Sequence, residues 1–538
     1  MGHDVVIVGG GMAGLTAAAY LCRAGLKVLL CEKEVKTGGL VNSFDYHGFT
    51  FDGGIRAIEN SGIVNPMLRQ LGIDVPFVRN GVSVGIENDV VNLQSKDSLT
   101  DYLQLLHSHF PDNSSDIAQF GLEIKKIMQY MDVLYGIDNP LFLDLKKDKK
   151  YLVQTILPWM IKYILTIRKV MRLDLPVVKY LKMISDNTAL IDMIAQHFFK
   201  DTPTFFALSY FSLYLDYQYP CGGTGILAEK MRQYILEHHG EIKCETEISR
   251  LDPSLDQIQD TKGNIYAYKK LIWTSDLKRL YQIIDIEAVK NTKSRKAIAA
   301  RKDFLSDKVG GDSVLTLYLM VDMNKEYFAS IASAHFFYTP LKTGLSRLEP
   351  FASEIQGPKQ EATGKSYVAD RQALQNWLKE FYRGTTYEIS CPVIRDASLA
   401  PEGKTGLIIS TLFDHSLVKH ISDAGGYDDF KEFSARQIID VLSEKIYPGM
   451  KEKVIDHFIS TPLTLEKLTG NSDGAITGWA FTNSSMPAVH SLPKVAGSVL
   501  TPIPNVYQAG QWTFSPSGLP ISILTGKLAA DKVINKLK

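Results

Sequence analysis

The amino-acid sequence predicts an α/β fold in which a parallel sheet begins near the N-terminus and is completed near the C-terminus. Two observations predict it. Four apolar residues, Val5 to Val8, lead directly into a glycine-rich turn and a helix, as expected for a strand buried on both faces. The same order of strand, glycine loop and helix recurs over residues 505–531. Because 538 residues are too many for one simple core, we expect two intimately connected domains.

The first glycine cluster has the spacing of a dinucleotide-binding turn. Gly9 permits the tight turn, Gly11 lets the backbone approach a pyrophosphate, and Gly14 lets the next helix pack against the strand. We predict a helix over residues 15–24, ending at Gly25, whose first N–H groups face the phosphates. The alternative is a βαβ unit that binds nothing. The pyrophosphate contacts predicted here are Gly9, Gly11, Met12, Ala13 and Gly14.

An acidic residue follows at the distance that such a site requires. A second apolar strand, residues 27–31, ends at Glu32, which lies 18 positions after Gly14 (32 − 14). A carboxylate about 20 positions after the glycines holds a ribose hydroxyl. Because this carboxylate would repel a 2′-phosphate, FAD or NAD is favoured over NADP. Glu32 and the adjacent Lys33 are the cofactor contacts predicted at this strand end.

Two further glycine pairs distinguish the candidate cofactors. Gly38-Gly39 is followed by a strand and then by Gly53-Gly54 and Arg56. An NAD dehydrogenase has no need of these extra backbone approaches, whereas a flavin lies extended along the protein. These residues resemble the FAD-dependent amine oxidase and phytoene desaturase superfamily, and within it the branch of carotenoid desaturases, carotenoid isomerases and retinol saturases. Leu40 stands where that family usually has arginine, which leaves a backbone N–H as the contact.

The resemblance covers nearly the whole chain and implies a bound FAD. In the family, the residue at the position of Ile248 contacts the adenine region through its backbone, and the C-terminal loop reaches the ribityl chain. The last helix points its N-terminus at the pyrimidine edge of the flavin ring, which stabilises negative charge on the reduced flavin. The further cofactor contacts implied are Gly39, Leu40, Ile248, Gly510, Gln511, Leu519, Pro520 and Ile521.

The resemblance also implies how the chain is divided. A Rossmann-like FAD-binding domain is expected to consist of residues 1–90, 216–290 and 485–538. A discontinuous α+β substrate domain with a helical lid is expected to consist of residues 91–215 and 291–484.

Composition and charge limit the possible partners and compartments. The chain has 59 lysines plus arginines and 59 aspartates plus glutamates. No net electrostatic field of the whole protein therefore favours the binding of nucleic acid. The first strand starts close to the N-terminus, which leaves no room for a cleaved signal peptide, and no run approaches the roughly 18 apolar residues of a membrane span. An odd number of cysteines without a CxxC pair predicts reduced, buried thiols in a cytoplasmic compartment. These cysteines are Cys22, Cys31, Cys221, Cys244 and Cys391.

Residues 151–175 are strongly apolar but carry basic side chains. Pro158 is placed to start a helix and Pro176 to stop one. A basic amphipathic helix is typical of peripheral attachment to an anionic membrane, here on its inner face; the alternative is a helix that covers the substrate cavity. On a helical wheel the polar side contains Lys162, Thr166, Arg168, Lys169 and Arg172, interrupted by Leu165. The apolar side contains Trp159, Met160, Tyr163, Ile164, Ile167, Val170 and Met171.

Residues 201–219 are dense in aromatic side chains. The run predicts either the lining of a channel for a long apolar molecule or ordinary core. The sequence contains no nucleophile triad and no spacing typical of a metal site. The histidines that stand alone, and are interpreted as structural, are His197, His335, His415 and His490.

The resemblance implies hydride transfer between flavin and a carbon of a lipophilic, carotenoid- or retinoid-like polyene. Because a proton must move on the neighbouring carbon, an acid or base is needed, or water must serve. Arg56 is the predicted catalytic residue, where retinol saturase has histidine, and a purely structural guanidinium is the alternative. Glu59 and Asp216 are further candidates.

The direction of the reaction and the electron partner stay open at this stage. Desaturation, saturation and isomerisation are all compatible with the same flavin-binding fold. Since no second glycine fingerprint follows a strand, we expect electrons to pass to or from a quinone, oxygen or a separate reductase. Two rival hypotheses are a flavin amine oxidase, whose aromatic cage Trp512 and Phe514 resemble, and a membrane-associated flavoprotein without turnover.

Overall fold

The computed structural model describes residues 2–144, 149–349, 351 and 371–538. The strands, in chain order, are β1 His3–Val8, β2 Val28–Cys31, β3 Ser43–Tyr46, β4 Phe49–Asp52, β5 Ile58–Glu59, β6 Phe77–Arg79, β7 Val82–Ile86, β8 Asp89–Leu93, β9 Tyr217–Pro220, β10 Glu241–Lys243, β11 Ile248–Asp252, β12 Gln257–Asp260, β13 Ile265–Trp273, β14 Ser313–Val321, β15 His335–Thr339, β16 Tyr387–Ser390, β17 Thr405–Phe413, β18 Val454–Ser460 and β19 Val506–Gln508. The α-helices are α1 Met12–Arg23, α2 Val64–Leu71, α3 Ser98–His109, α4 Ser114–Tyr135, α5 Lys149–Tyr151, α6 Leu157–Val170, α7 Val177–Leu181, α8 Thr188–Ala195, α9 Thr204–Asp216, α10 Gly225–Glu237, α11 Leu277–Ile283, α12 Thr292–Ser306, α13 Lys325–Ala329, α14 Arg371–Gly384, α15 Pro392–Arg395, α16 His415–Asp423, α17 Tyr427–Lys445, α18 Pro462–Thr469 and α19 Leu519–Leu537.

The first sheet is the parallel sheet that the N-terminal sequence predicts, and it confirms the α/β fold. Its order is β10–β2–β1–β13, with parallel pairing throughout, and β19 also runs parallel to β13. β12 and β11 extend it by antiparallel pairing. Val5 and Ile7 pack with α1 and α19 on one face, whereas Val6 and Val8 pack with Trp273 and α11 on the other. This burial on both faces explains why the strand is an uninterrupted apolar run.

The second sheet has the order β18–β14–β17–β16–β15–β7–β8 and is antiparallel except for the β15–β7 pair. Side chains of β15 alternate between two helical layers. Phe336 and Tyr338 face the core that contains α14 and α17, and Phe337 faces the core that contains α4, α8 and α9. The predicted domain boundary after residue 90 falls inside the β7–β8 hairpin, both strands of which belong to this second sheet.

Two local predictions need revision. α1 begins at Met12, three residues before the predicted start, because Gly14 sits inside its first turn instead of in the loop. All five cysteines are free, as predicted, but only Cys22, Cys31 and Cys391 are buried; Cys221 and Cys244 are half-buried.

The helix predicted within residues 151–175 exists, but its apolar and polar sides differ from the wheel. Pro158 lies in the first turn of α6, as predicted, after a π-helical turn at Leu152–Ile156. Thr166, assigned to the polar side, is buried, because α6 packs on α4 through this face. The side chains on this inner face are Trp159, Tyr163, Thr166, Ile167 and Val170. Of the seven side chains assigned to the apolar side, Trp159, Tyr163, Ile167 and Val170 do face inward. The other three, Met160, Ile164 and Met171, are exposed, as are Leu157, Ile161 and Leu165.

Within the described ranges, no helix combines the length and the apolar character that crossing a membrane requires.

Candidate active site

Three glycine loops meet at the N-terminus of α1. Gly11 forms a bridge with Gly38, whose N–H donates to the backbone carbonyl that precedes Gly11 (2.8 Å). A methyl group at Gly39 would lie 3.3 Å from the Cα of Gly11, and one at Gly510 would lie 3.4 Å from the Cβ of Ala13. The fold therefore brings together three loops that are far apart in the sequence.

The glycines of the first loop have different roles. A Cβ at Gly14 would lie only 2.0 Å from the carbonyl oxygen of Gly9, so packing of α1 on the turn requires glycine there. A Cβ at Gly11 would meet no atom within 4 Å, so this glycine leaves open space beside the backbone. No side chain caps α1, and the N–H groups of its first turn are available to a phosphate. The residues of this turn fit the pyrophosphate of a dinucleotide.

The C-terminal helix offers a second open N-terminus. α19 begins at Leu519 after Gly518, with Pro520 in its first turn and no side-chain cap. The Gly510 N–H donates to Thr525 Oγ1 (2.9 Å), which fastens the glycine loop to this helix. Since negative charge is stabilised at a helix N-terminus, this end suits the polar edge of a flavin ring.

Glu32 lies at the end of β2 as the sequence predicts, and it already accepts two backbone hydrogen bonds. Its Oε2 accepts from the Gly10 N–H (2.6 Å) and its Oε1 from the Glu34 N–H (2.9 Å). Burial raises the pKa of this carboxyl, and these hydrogen bonds oppose the rise. A carboxylate has about four acceptor sites, so a ribose hydroxyl can still bind. Thr246, two residues before Ile248, donates its N–H to the Glu32 carbonyl (2.8 Å), which brings the start of β11 to this strand end.

Two of the predicted contacts are occupied within the protein. The side chain of Lys33 is directed away from the glycine loops, because its Nζ donates to the Lys467 carbonyl (2.6 Å). The carbonyl of Leu40 accepts the Ile55 N–H (2.9 Å). A Cβ at Gly54 would lie 1.9 Å from that same carbonyl oxygen. The third glycine pair therefore allows two chain segments to cross, a role that differs from the cofactor approach inferred from sequence.

Arg56 is buried between the two sheets, and most of its donors are used inside the protein. Its Nη1 donates to the carbonyls of Asp52 (3.1 Å) and Gly54, and its Nη2 donates to Ser410 Oγ (3.2 Å). Among the described residues, its Nε has no partner. This geometry favours the structural interpretation of Arg56.

A polar network beside Arg56 was missed by sequence reasoning. Asp52 accepts hydrogen bonds from the Tyr219 hydroxyl (2.8 Å) and from both the N–H and the hydroxyl of Thr224 (2.8 Å each). Arg395 lies 3.8 Å from the centroid of the Tyr219 ring and donates to the Arg56 carbonyl (3.0 Å). The available signal was the family-like Asp52-Gly-Gly segment, but its partners are more than 160 positions away and cannot be read from spacing.

His335 does not stand alone, contrary to the sequence-based interpretation. Its Nε2 lies 2.9 Å from Glu388 Oε1, and its Nδ1 faces the Asn80 side chain (3.3 Å). Burial lowers the pKa of His335, and Glu388 opposes that change. The pKa of Glu388 is below its ordinary value, because His335, Arg56 and Arg395 together outweigh the effect of burial. Within the part of the chain that is described, no cluster suits a metal ion.

Aromatic rings form a wall between this network and α9. Tyr217 lies near His335 with their rings tilted (5.4 Å between centroids), and Tyr214 lies against Phe337 (4.9 Å). The cavity beyond them, next to Tyr210, measures about 40 Å³. One water needs about 10–15 Å³, so this space holds only a few waters. Its size favours the core interpretation for this part of the aromatic run.

Glu59 occupies a different environment, at the start of α19. A methyl group at Gly518 would lie 3.4 Å from Glu59 Oε1. Glu59 is paired with Tyr217 across β5 and β9, and Asp216 precedes that tyrosine. Burial, together with the negative charge of Asp216, raises the pKa of Glu59 to about 7. This half-buried carboxyl can therefore exchange a proton near neutral pH.

Comparison with known proteins agrees with this geometry. Residues 7–71 match the family described as NAD(P)-binding Rossmann-like domain. A prolycopene isomerase of an Oncidium hybrid cultivar is 22% identical, over 99% of this chain and 84% of its own length. An all-trans-retinol 13,14-reductase of Danio rerio is 23% identical over 94% and 82%; a second Danio rerio relative, named as an inactive form, is 22% identical over 99% and 86%. A 4,4'-diapophytoene desaturase of Staphylococcus aureus is 20% identical over 99% of both chains.

Solved structures give the same fold. A putrescine oxidase structure superposes with a TM-score of 0.60 over 100% of this chain and 99% of its own, at 12% identity. At that identity the likeness concerns the fold alone. The sequence relatives named above, by contrast, extend over almost all of the chain and agree with the resemblance drawn from the glycine loops. The chain is thus similar over almost all of its length to proteins named prolycopene isomerase, all-trans-retinol 13,14-reductase and 4,4'-diapophytoene desaturase, and its N-terminal part matches a Rossmann-like domain.

Proposed function

We propose that this protein is an FAD-dependent oxidoreductase that acts on carbon–carbon bonds of a lipophilic, carotenoid- or retinoid-like polyene. The observation that carries the proposal is the meeting of three glycine loops with two uncapped helix N-termini, in a chain related along its length to enzymes named for polyene substrates. When bound, the flavin supplies the exchange of a hydride with a carbon atom. The protein's own residues bind it, orient it and move a proton.

In this proposal the cofactor is held by backbone more than by side chains. The α1 turn holds the pyrophosphate, Glu32 accepts the adenosine ribose hydroxyl, and the segment at Ile248 borders the adenine. The C-terminal loop and the start of α19 hold the ribityl chain and the ring. Lys33 and Leu40 contribute through their backbone N–H groups, since the Lys33 side chain and the Leu40 carbonyl are already bonded. The proposed contacts are Gly9, Gly11, Met12, Ala13, Gly14, Glu32, Lys33, Gly39, Leu40, Ile248, Gly510, Gln511, Leu519, Pro520 and Ile521.

Arg56 has a bracing role in this proposal. Its bonds to Asp52, Gly54 and Ser410 join the turn after β4 to the second sheet. The FAD-binding domain is assigned the strands of the first sheet, which come from residues 1–90, 216–290 and 485–538.

Binding of the flavin can be tested with a matched pair of glycine variants. Gly11→Val adds a side chain to open space next to the helix start, and Gly497→Val does so at an exposed site where a Cβ also meets nothing within 4 Å. We expect purified Gly11→Val to fold with little or no flavin absorbance, and Gly497→Val to retain it. A fully yellow Gly11→Val protein would contradict the cofactor assignment.

The reaction is tested anaerobically with the flavin-loaded protein and a panel of carotenoids, retinoids, unsaturated lipids and amines in micelles. Bleaching of oxidised flavin with loss of two hydrogens from a polyene identifies a desaturase. Reoxidation of reduced flavin with gain of two hydrogens identifies a saturase, and an unchanged mass with altered double-bond geometry an isomerase. Bleaching by amines alone would favour the amine oxidase hypothesis. The absence of any response would favour the hypothesis of a flavoprotein without turnover. Quinone, oxygen or a reductase is then identified as the electron partner by steady-state turnover.

We also infer that the outward face of α6 rests on an anionic membrane, from which a polyene is taken. This face combines exposed apolar side chains with basic ones, and from residue 149 to 183 eight basic residues accompany the single acid Asp174. The basic residues are Lys149, Lys150, Lys162, Arg168, Lys169, Arg172, Lys179 and Lys182. Such a surface suits an anionic lipid headgroup layer.

Vesicle sedimentation tests this surface. Ile161 is 68% exposed on α6, and Leu255, 63% exposed in the turn between β11 and β12, provides a matched control. Full burial of an isoleucine contributes about 1.5–3 kcal/mol, so Ile161→Glu should weaken binding to anionic vesicles by about tenfold or more. Leu255→Glu should bind as the unchanged protein does. Equal binding by both variants would exclude α6 as the attachment surface.

A further inference from the structure

Glu59 and Asp216 form a pair of carboxylates beside the start of α19. Glu59 Oε1 is close enough to Gly518 that a methyl group there would lie 3.4 Å from it. Asp216 Oδ2 accepts the N–H groups of the two residues that follow Glu59 (3.0 Å each). Glu59 thus belongs to β5, and Asp216 is bonded to the two residues that follow this strand, next to the helix end assigned to the flavin ring.

The surroundings of Glu59 differ from those of the buried charges around Arg56. Asp216 faces it from the end of α9, and phenols face it from α4, α9 and β9: Tyr135, Tyr210 and Tyr217. These neighbours are negative or neutral at neutral pH. A carboxyl in such a place holds its proton more firmly than an exposed one, because ionisation would put two negative charges side by side.

The pair also has a path to solvent. Asp216 and Tyr217 line an open groove of about 580 Å³, which Asn65, Arg69 and Asp74 border at the surface. The groove is large enough for many waters. A proton on Glu59 can therefore reach bulk water through Asp216 without crossing the apolar core.

We propose that Glu59 is the residue that transfers the proton in the reaction at the flavin, and that Asp216 exchanges this proton with the groove. The inference rests on the proposed function. When a C–C bond is oxidised, one carbon loses a hydride, with its two electrons, to the flavin, and the neighbouring carbon loses a proton to the Glu59 carboxylate. Two C–H bonds break, and one C=C π bond, one bond from the hydride to the flavin and one carboxyl O–H bond form. Reduction of a double bond runs through the same changes in reverse.

The test compares Glu59→Gln with Glu123→Gln, using the full-length, flavin-loaded protein. Glu123, on α4, is also a half-buried glutamate, and it accepts a hydrogen bond from the Tyr180 hydroxyl. It lies far along the chain from Glu59 and Asp216. Flavin content and the anaerobic single-turnover rate with the reactive polyene are measured. General acid–base catalysis contributes about 10²–10⁴-fold. We expect Glu59→Gln to keep its flavin and to lose at least about 100-fold in rate, whereas Glu123→Gln matches the unchanged protein.

A second measurement does not depend on turnover. Infrared titration of the ¹³C-glutamate-labelled protein should show one protonated carboxyl band that disappears near pH 7 in the unchanged protein and is missing in Glu59→Gln. An unaltered single-turnover rate in Glu59→Gln, or a Glu59 carboxyl that titrates near pH 4.5, would overturn the inference. Failure of the unchanged protein to react with any polyene would instead overturn the proposed function, and the two failures are thus distinguishable. If Glu59→Gln does not fold, Glu59→Asp and the titration decide.

Discussion

Two groups of ionisable side chains lie close to the junction of the two sheets, and they differ in how their charges are balanced. In the group around Arg56, each charge has an opposite charge or a polar partner: Glu388 lies 2.9 Å from His335 and near two arginines. In the pair of Glu59 and Asp216, two carboxylates face each other among phenols. Opposite charges balance the first group, whereas in the second, among the described residues, the only compensation is the two backbone N–H groups that donate to Asp216.

The difference indicates separate roles. A compensated buried network resists titration and fixes the geometry of the fold, and breaking it leaves an unpaired charge. An uncompensated carboxyl changes its protonation near neutral pH, which is the property that a general acid or base requires. We therefore propose Glu59 as the proton-transfer residue in place of Arg56, the candidate that its position in a sequence motif suggested.

The largest effect is expected on stability when Arg56 is truncated. Removing one partner from a buried charged network costs about 3–5 kcal/mol, and Arg56→Ala should lower the free energy of unfolding by about that amount. Arg232→Ala removes an arginine of an exposed i,i+3 ion pair on α10 and should cost less than about 1 kcal/mol. Urea unfolding of both variants measures the difference. A cost near that of Arg232→Ala would show that the Arg56 group does not hold the sheets together.

The pH dependence of stability sharpens the comparison. Glu59 has a pKa of about 7 in the folded protein and about 4.5 when unfolded, so the folded state binds more protons between these values. The free energy of unfolding therefore falls as the pH rises from about 4.5 to 7. A pKa difference of one corresponds to about 1.4 kcal/mol, so the loss is at most about 3 kcal/mol and is smaller because the side chain is partly exposed.

The same variants test this linkage. Glu59→Gln should match the unchanged protein in stability near pH 4.5 and exceed it near pH 8, since glutamine cannot ionise. Glu123→Gln is the matched control and is measured in the same way. Thermal unfolding at a series of pH values, with equal flavin content, measures both. A Glu59→Gln curve parallel to the unchanged protein would mean that Glu59 ionises normally.

The sequence predicts the N-terminal βαβ unit well because the signals for it are local. Glycine spacing, an apolar strand and an acid at a set distance place Gly11, Gly14 and Glu32 within one βαβ unit, and the structure has that unit with parallel pairing. Gly14 and Gly54 are both necessary because another backbone segment lies too close for a Cβ. The glycine spacing predicts this close packing for Gly14 but not for Gly54.

The candidates for proton transfer could not be distinguished from sequence, because their properties come from contacts between distant segments. Glu59 acquires its environment from Asp216 and from the start of α19, more than 150 and 450 positions away. The two sides of α6 were predicted only in part, for a related reason. Periodicity identifies a helix with mixed sides, but packing of Thr166 and Ile167 against α4 decides which side faces inward.

The smallest effect is expected when only the charge of Asp216 is removed. Asp216→Asn keeps an oxygen that can accept the N–H groups after Glu59, but it takes away the negative charge that helps to raise the pKa of Glu59. The pKa of Glu59 should therefore fall by about one, which corresponds to about 1.4 kcal/mol. In a desaturase, where Glu59 is the base, the rising limb of the rate against pH moves to lower pH; in a saturase, where it is the acid, the falling limb moves in the same direction. Single-turnover rates measured from pH 5 to 9 in both proteins locate this limb of the pH–rate profile. If the limb lies at the same pH in Asp216→Asn and in the unchanged protein, Asp216 does not act on Glu59 through its charge.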